Sequence, residues 1–279
     1  METTAVKKPF FISYILIGIN VLLFVLMVFY QPGFSTELSI ETLINFGAKY
    51  NMRIADGEFF RLLTSMFLHA NLMHIVFNSL ALRALGRDVE IFFGRSKFLI
   101  IYFTAGILGA LGSYMFNDAI GVGASGAIFG LLGANLYLLT LNPTLYKKIY
   151  GYDMLVLLGI NLVYGLMNQN IDNVAHLAGM VGGYLAAWSV GVKKENPFKM
   201  KHMVAQALTL IIIVVLVAWG IPNYKNNWKY DYHKGYELLS EDNIMGAKAQ
   251  FEKGLLKDPN NENLTFILDR INEAIETSQ

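Results

Sequence analysis

Seven stretches of this chain carry almost no charge, and they constrain its fold more than any other feature. They run roughly over 9–30, 62–82, 98–116, 119–141, 154–168, 174–192 and 203–221. Most approach the ~20 residues a helix needs to cross ~30 Å of hydrocarbon, and the fifth is shorter. Lipid offers no water to backbone N–H and C=O groups, so such runs must be helices that satisfy their own. The expected fold is an all-α polytopic membrane protein over residues 1–221, followed by a small helical tail over 222–279. The first run follows Lys7 and Lys8. It is too long for a removable signal peptide and lacks a small-residue cleavage site, so it reads as a signal anchor.

Composition points the same way. Charged residues make up 15% of the chain, against about 25% in soluble domains. A net charge of +1 suggests no nucleic-acid partner. There is no cysteine, which removes disulfides, thiol nucleophiles and thiolate metal sites. No metal or cofactor is implied. Lys and Arg in the short loops set orientation. Lys7/Lys8, Arg83/Arg87/Arg95/Lys97, Lys147/Lys148 and Lys193/Lys194/Lys199/Lys201 share one side if the N-terminus is cytoplasmic, while the loops around Asn117–Asp118 and Gln169–Asn173 carry none. Seven spans then leave the tail outside the cell membrane.

The apolar runs contain histidine rather than a chain of carboxylates, which disfavours a carrier. His69, His74 and His176 all fall inside them. Each is costly in lipid and marks a candidate site, the alternative being hydrogen-bond glue between helices. With the second run starting at 62, His69 is expected roughly 8 Å and His74 roughly 15 Å below its outer end. Asn78, four residues after His74, shares its helix face. Ser125, within GVGASGAIFG at 121–130, joins a glycine-rich turn to a helix. It is either a small packing residue or a nucleophile at a helix N-terminus. Gly126, Gly130 and Gly133 in the fourth run, and Gly179 and Gly183 in the sixth, would let those two backbones approach and bring Ser125 to His176.

Serine needs an adjacent base, and a neutral imidazole can serve. With no carboxylate in these runs to orient the ring, a Ser–His dyad is expected rather than a triad. The backbone N–H of Ser125, the Asn78 amide and the His74 ring are available to a developing oxyanion.

In combination, GEFFR at 57–61, HANLMHIVFN at 69–78, GASG at 123–126 and AHLAG at 175–179 resemble the rhomboid family of intramembrane serine proteases. The likeness extends from about GAKYN at 47–51 to about GGYLAA at 182–187, within a core of about 45–192. It implies six core transmembrane helices plus a seventh, with Ser125 as nucleophile and His176 as general base and acid. It also gives His74, Asn78 and Gly123 to the oxyanion hole, and His69 a structural or water-organising role. Glu58 and Arg61 match the family's first-loop motif. Phe60 stands where Trp is frequent, and Phe129 where a Tyr often stacks on the base. The implied partners are the lipid bilayer and substrates with a transmembrane segment that unwinds near the outer face. A non-proteolytic protein that binds client helices is the alternative.

The tail is polar. Its segment YKNNWKYDYHKGY at 224–236 has the aromatics of a membrane interface. Gly235, Ala247, Phe251, Gly254 and Pro259 fall at spacings resembling one tetratricopeptide repeat, or simply an amphipathic helical hairpin. A single repeat buries its own face poorly, so the tail is expected to pack on the enzyme or on a protein partner.

Overall fold

The computed structural model describes residues 12–277, apart from 154, 155, 157, 158, 161, 162, 164, 166, 169 and 170. The run expected at 154–168 lies largely outside the described residues. Among these, the named elements are helices, and β-pairing is limited to the isolated bridges Glu37–Asn71 and Lys49–Gly121. They form two compact units. One runs up to Lys49 and resumes over Phe60–Val214, and the other combines Tyr50–Phe59 with Val215–Gln279.

The first unit begins with α1 (Ile12–Tyr30) and a short α2 (Ile40–Asn45). After α3 (Asn51–Ala55), which belongs to the second unit, come α4 (Arg61–Thr64) and a 3-10 turn at Ser65–Phe67. The chain is then extended at Leu68 and Asn71 before α5 (Leu72–Phe93) begins. The second apolar run therefore does not become a helix from 62 to 82. The Asn71 side chain caps α5 by accepting from the His74 N–H at 2.9 Å, which starts the helix ten residues late. At its other end α5 continues through Arg83, Arg87 and Asp88. This end of α5 is tied to α1: Glu90, 5% exposed, accepts from the Ile12 and Ser13 N–H groups at 2.8 Å each. A carboxylate thus caps the N-terminus of α1. Gly94, at φ +84°, is the backbone hinge between α5 and α6 (Arg95–Phe116).

The centre of this unit is the packing of α6, α7 (Ser125–Leu141) and α9 (Asn173–Val190), with α8 (Pro143–Tyr150) between α7 and the fifth run. Lipid tails are as apolar as leucine, so burial alone does not hold such helices together, and close van der Waals contact must. The small-residue faces supply it. A β-carbon at Gly109 would sit 2.9 Å from the Ala175 carbonyl, and one at Gly133 2.9 Å from the Met180 carbonyl carbon. At Gly179 and Gly183 a β-carbon would run into the Gly126 and Gly130 backbones. Leu82, Phe98, Ile101, Tyr102, Leu131 and Ala134 are fully buried around this seam.

Among the described residues, three helices are long and apolar enough to cross a membrane: α1, α6 and α10 (Met200–Lys225). Their outward residues are apolar, as with Leu22, Phe29 and Ile211, a surface suited to lipid rather than water.

The second unit contains α11 (Trp228–Ser240), α12 (Ile244–Lys257) and α13 (Glu262–Thr277) around Ala247, Phe251, Leu264, Leu268 and Ile271. Phe251 lies against Gly235, where a β-carbon would run into its ring, 2.6 Å from Cζ. Buried Asp231 pairs with Lys257 at 2.5 Å. Residues 50–59 belong here because polar contacts clasp them. Arg53 pairs with Glu237 at 3.2 Å, Tyr230 donates to Asp56 at 2.7 Å, and Lys234 reaches Asp56 at 3.2 Å. The compact units thus do not follow the 221/222 division drawn from composition.

Candidate active site

Ser125 is the first residue of α7, so its N–H is among those a helix leaves unpaired. The loop before it, 117–124, is held from two sides. Lys49 exchanges backbone hydrogen bonds with Gly121 at 2.9 and 3.0 Å, and the Gly123 N–H donates to the Ser65 carbonyl at 2.9 Å. Gly123 has φ +121°, a region that disfavours any side chain. Its backbone also abuts the His74 ring, where an added β-carbon would lie 2.7 Å from Nε2.

His176 is the fourth residue of α9, and its N–H donates to the Asp172 carbonyl at 3.1 Å. Its ring stacks on Phe129 with centroids 4.1 Å apart and planes 9° off parallel. Phe129 stands one turn after Ser125, so the stack holds the imidazole against the helix that carries the hydroxyl. The Gly126–Gly179 contact, one residue after the serine and three after the histidine, draws the two backbones together. Both residues are half-buried. Among the described residues no hydrogen bond joins the Ser125 hydroxyl to the His176 ring. In substrate-free sites such bonds are often long and tighten when substrate binds.

His74 lies in the first turn of α5 rather than deep in a span, which replaces the depth expected from a helix starting at 62. Asn78, 7% exposed, donates from Nδ2 to the His74 carbonyl at 2.9 Å. Its amide has a second N–H, still available to an oxyanion. His69 is outside any helix, in the extended segment before α5, and not in a transmembrane helix as the apolar run implied. It is fully buried, and its ring meets that of His74 edge-on at 5.0 Å. Arg61, 3% exposed, donates to the Ile44 and Ala48 carbonyls at 2.7 and 3.1 Å, pinning the turn that leads to Lys49. Glu58 falls in the second unit, where its N–H donates to the Arg53 carbonyl at 3.0 Å.

A cavity of about 60 Å³ opens beside the serine, lined by Lys49, Ser65, Ser113, Gly123, Ser125 and Asp172 among others. It has room for water and polar walls to hold it. Four of these residues, Lys49, Ser65, Ser113 and Asp172, were not assigned to the site from sequence. Asp172 is the N-cap of α9, accepting from the Ala175 N–H at 2.9 Å and from the Ser113 hydroxyl. An Asp just before an apolar run is a helix-start signal, so this one was legible. Its carboxylate is engaged by Ser113 and the helix end. Lys49 is 2% exposed, and burial lowers its pKa to about 8 against the opposing charges of Asp172 and Asp118.

Comparison with known proteins adds the family. A family model of the Rhomboid domain matches residues 56–193. Rhomboid protease GluP of Bacillus subtilis (strain 168) is 40% identical over 234 residues, which are 84% of this chain and 45% of that protein. The rhomboid protein YdcA of the same bacterium is 34% identical over 177 residues, 62% of this chain and 87% of its own length. Rhomboid protease AarA of Providencia stuartii is 34% identical over 193 residues, covering 59% and 68% of the two chains. The chain spans under half of GluP, 45% of its length. With a domain match over the site-bearing helices and a relative matched over nearly its whole length, this chain belongs to the rhomboid family, and it is an integral membrane protein.

Proposed function

We propose that this chain is an intramembrane serine endopeptidase that uses a Ser125–His176 dyad. The single observation that carries the reading is the Phe129 stack, which holds His176 one helical turn from Ser125 at the Gly126–Gly179 crossing. His176 takes the hydroxyl proton as Ser125 Oγ attacks a substrate carbonyl, then gives it to the departing amine. The acyl-enzyme is released when the same ring deprotonates a water supplied from the cavity. The Ser125 N–H, the free N–H of Asn78 and the His74 ring serve the oxyanion, each donor typically worth about 3 kcal/mol. Gly123 keeps that space open, and His69 supports the His74 ring. Two relatives carry the name rhomboid protease, which supports the same chemistry here.

The substrates are membrane proteins whose spanning helix unwinds, because a helix must open before its carbonyls can be attacked. The N-terminus is cytoplasmic, and the tail is extracytoplasmic and docks a protein partner. A chain without cysteine allows the orientation to be read by single introduced cysteines and an impermeant thiol reagent.

The function is tested by fluorophosphonate labelling and by cleavage of a reporter transmembrane helix. Wild type should label and cleave, and Ser125→Ala and His176→Ala should do neither. Equal cleavage by wild type and Ser125→Ala would overturn the assignment, and helix binding without cleavage would identify a client-binding protein instead.

A further inference from the structure

Lys49 is the most deeply buried lysine among the described residues, and the dyad chemistry does not use it. We propose that Lys49 is a positioning residue for the nucleophile, holding the 117–124 loop so that Gly123 and the Ser125 N–H face the oxyanion space; the proposal rests on the hydrolytic reading above. Its Nζ donates to the Asn117 carbonyl at 2.7 Å and to the Ala119 carbonyl at 2.9 Å. Its backbone pairs with Gly121, and its aliphatic stem lies along that glycine, 3.0 Å from where a β-carbon would be. One side chain therefore grips the loop at 117, 119 and 121, and the next hydrogen bond along, from Gly123 to Ser65, completes the strap. Ser125 follows two residues later. Lys49 and Ser125 also line the same cavity.

Burying a cation disfavours the folded state unless hydrogen bonds and opposite charge compensate it. Here two carbonyls accept from it directly, and Asp172 at the start of α9 and Asp118 in the loop are the charged groups acting on it. An apolar residue could fill the space without that cost, so the charge serves the geometry of the loop. Charge-assisted hydrogen bonds are about twice as strong as neutral ones, and the strap should weaken when the amine loses its proton. With the pKa lowered to about 8, that happens within an accessible range.

The test uses the full chain in detergent, with fluorophosphonate labelling of Ser125 as the rate and reporter-helix cleavage for kcat and KM. Lys49→Met should label about 10- to 100-fold more slowly, as expected for a small misplacement of a reacting group, measured well below its own thermal midpoint, which should fall because two carbonyls lose their donor. Its kcat should fall while KM holds, since the hydrogen bonds lost are those to the 117–124 loop carbonyls. The wild-type rate should decline as pH rises through about 8, and Lys49→Arg, which stays charged, should lack that decline and retain most activity. A Lys49→Met protein that labels at the wild-type rate would overturn the proposal. If that variant does not fold, identical alkaline profiles for wild type and Lys49→Arg would do so. Failure of wild type itself to label, with Lys49 intact, would instead refute the hydrolytic reading.

Discussion

Replacing Gly179 by alanine tests the helix crossing that the site depends on. The added methyl would stand 2.8 Å from the Gly126 carbonyl carbon and 3.1 Å from its Cα, and closer still to the oxygen. Carbon contacts settle near 3.5–4.0 Å, so α7 and α9 must part by roughly 1 Å. The atoms in the way are backbone, and no side chain can swing aside to relieve them. Overpacking of this kind costs about 1–3 kcal/mol, and the upper end is expected here. The same separation would move His176 from Ser125, and a 1 Å misplacement can cost about 100-fold in rate. Thermal unfolding in detergent reads the first effect and fluorophosphonate labelling the second. Gly18→Ala is the internal control. It lies on an apolar helix with no atom within 4 Å of the new methyl, and should leave both readouts unchanged. A Gly179→Ala protein as stable and as reactive as wild type would refute the reasoning.

Gly123→Ala should reduce labelling at least 10-fold, because φ +121° and the His74 ring both exclude a methyl, strain of about 1–3 kcal/mol. Labelling rate against pH will show whether the loss is uniform. Glu195 is held at a pKa of about 2, chiefly by its hydrogen bond from Lys201, with His202 adding to it. A depressed carboxylate stabilises the fold above its ordinary 4.5 and loses that contribution as pH falls toward 2. Glu195→Gln should therefore flatten the decline of the thermal midpoint across that window, and an unchanged decline would exclude Glu195 as its source. Asp56→Asn removes charge from the clasp on residues 50–59. It should cost under about 1 kcal/mol, as exposed pairs do, yet speed amide hydrogen exchange within that segment.

Hydropathy alone indicated the long apolar helices, because the cost of putting a charge in lipid is written locally in each run. It misjudged where they begin. The second run was expected at 62 and α5 starts at Leu72. A hydropathy sum does not register that Asn71 caps a helix or that residues 65–71 break the run. The small-residue seam that brings the helices of Ser125 and His176 together was legible, since Gly in an apolar helix has few other uses.

The strap at Lys49 was not legible, although its residues were in view. Its partners lie 68 and 70 residues away and are main-chain carbonyls, which any residue would offer equally. The clasp between 50–59 and the tail is hidden for the same reason, its ends being 174 or more residues apart. The sequence by itself determined that the chain lives in a membrane and marked the two side chains to test for acyl chemistry, because both follow from residue type and local pattern. Only the tertiary structure decided which backbone each buried polar group would satisfy, because that pairing depends on where distant segments meet.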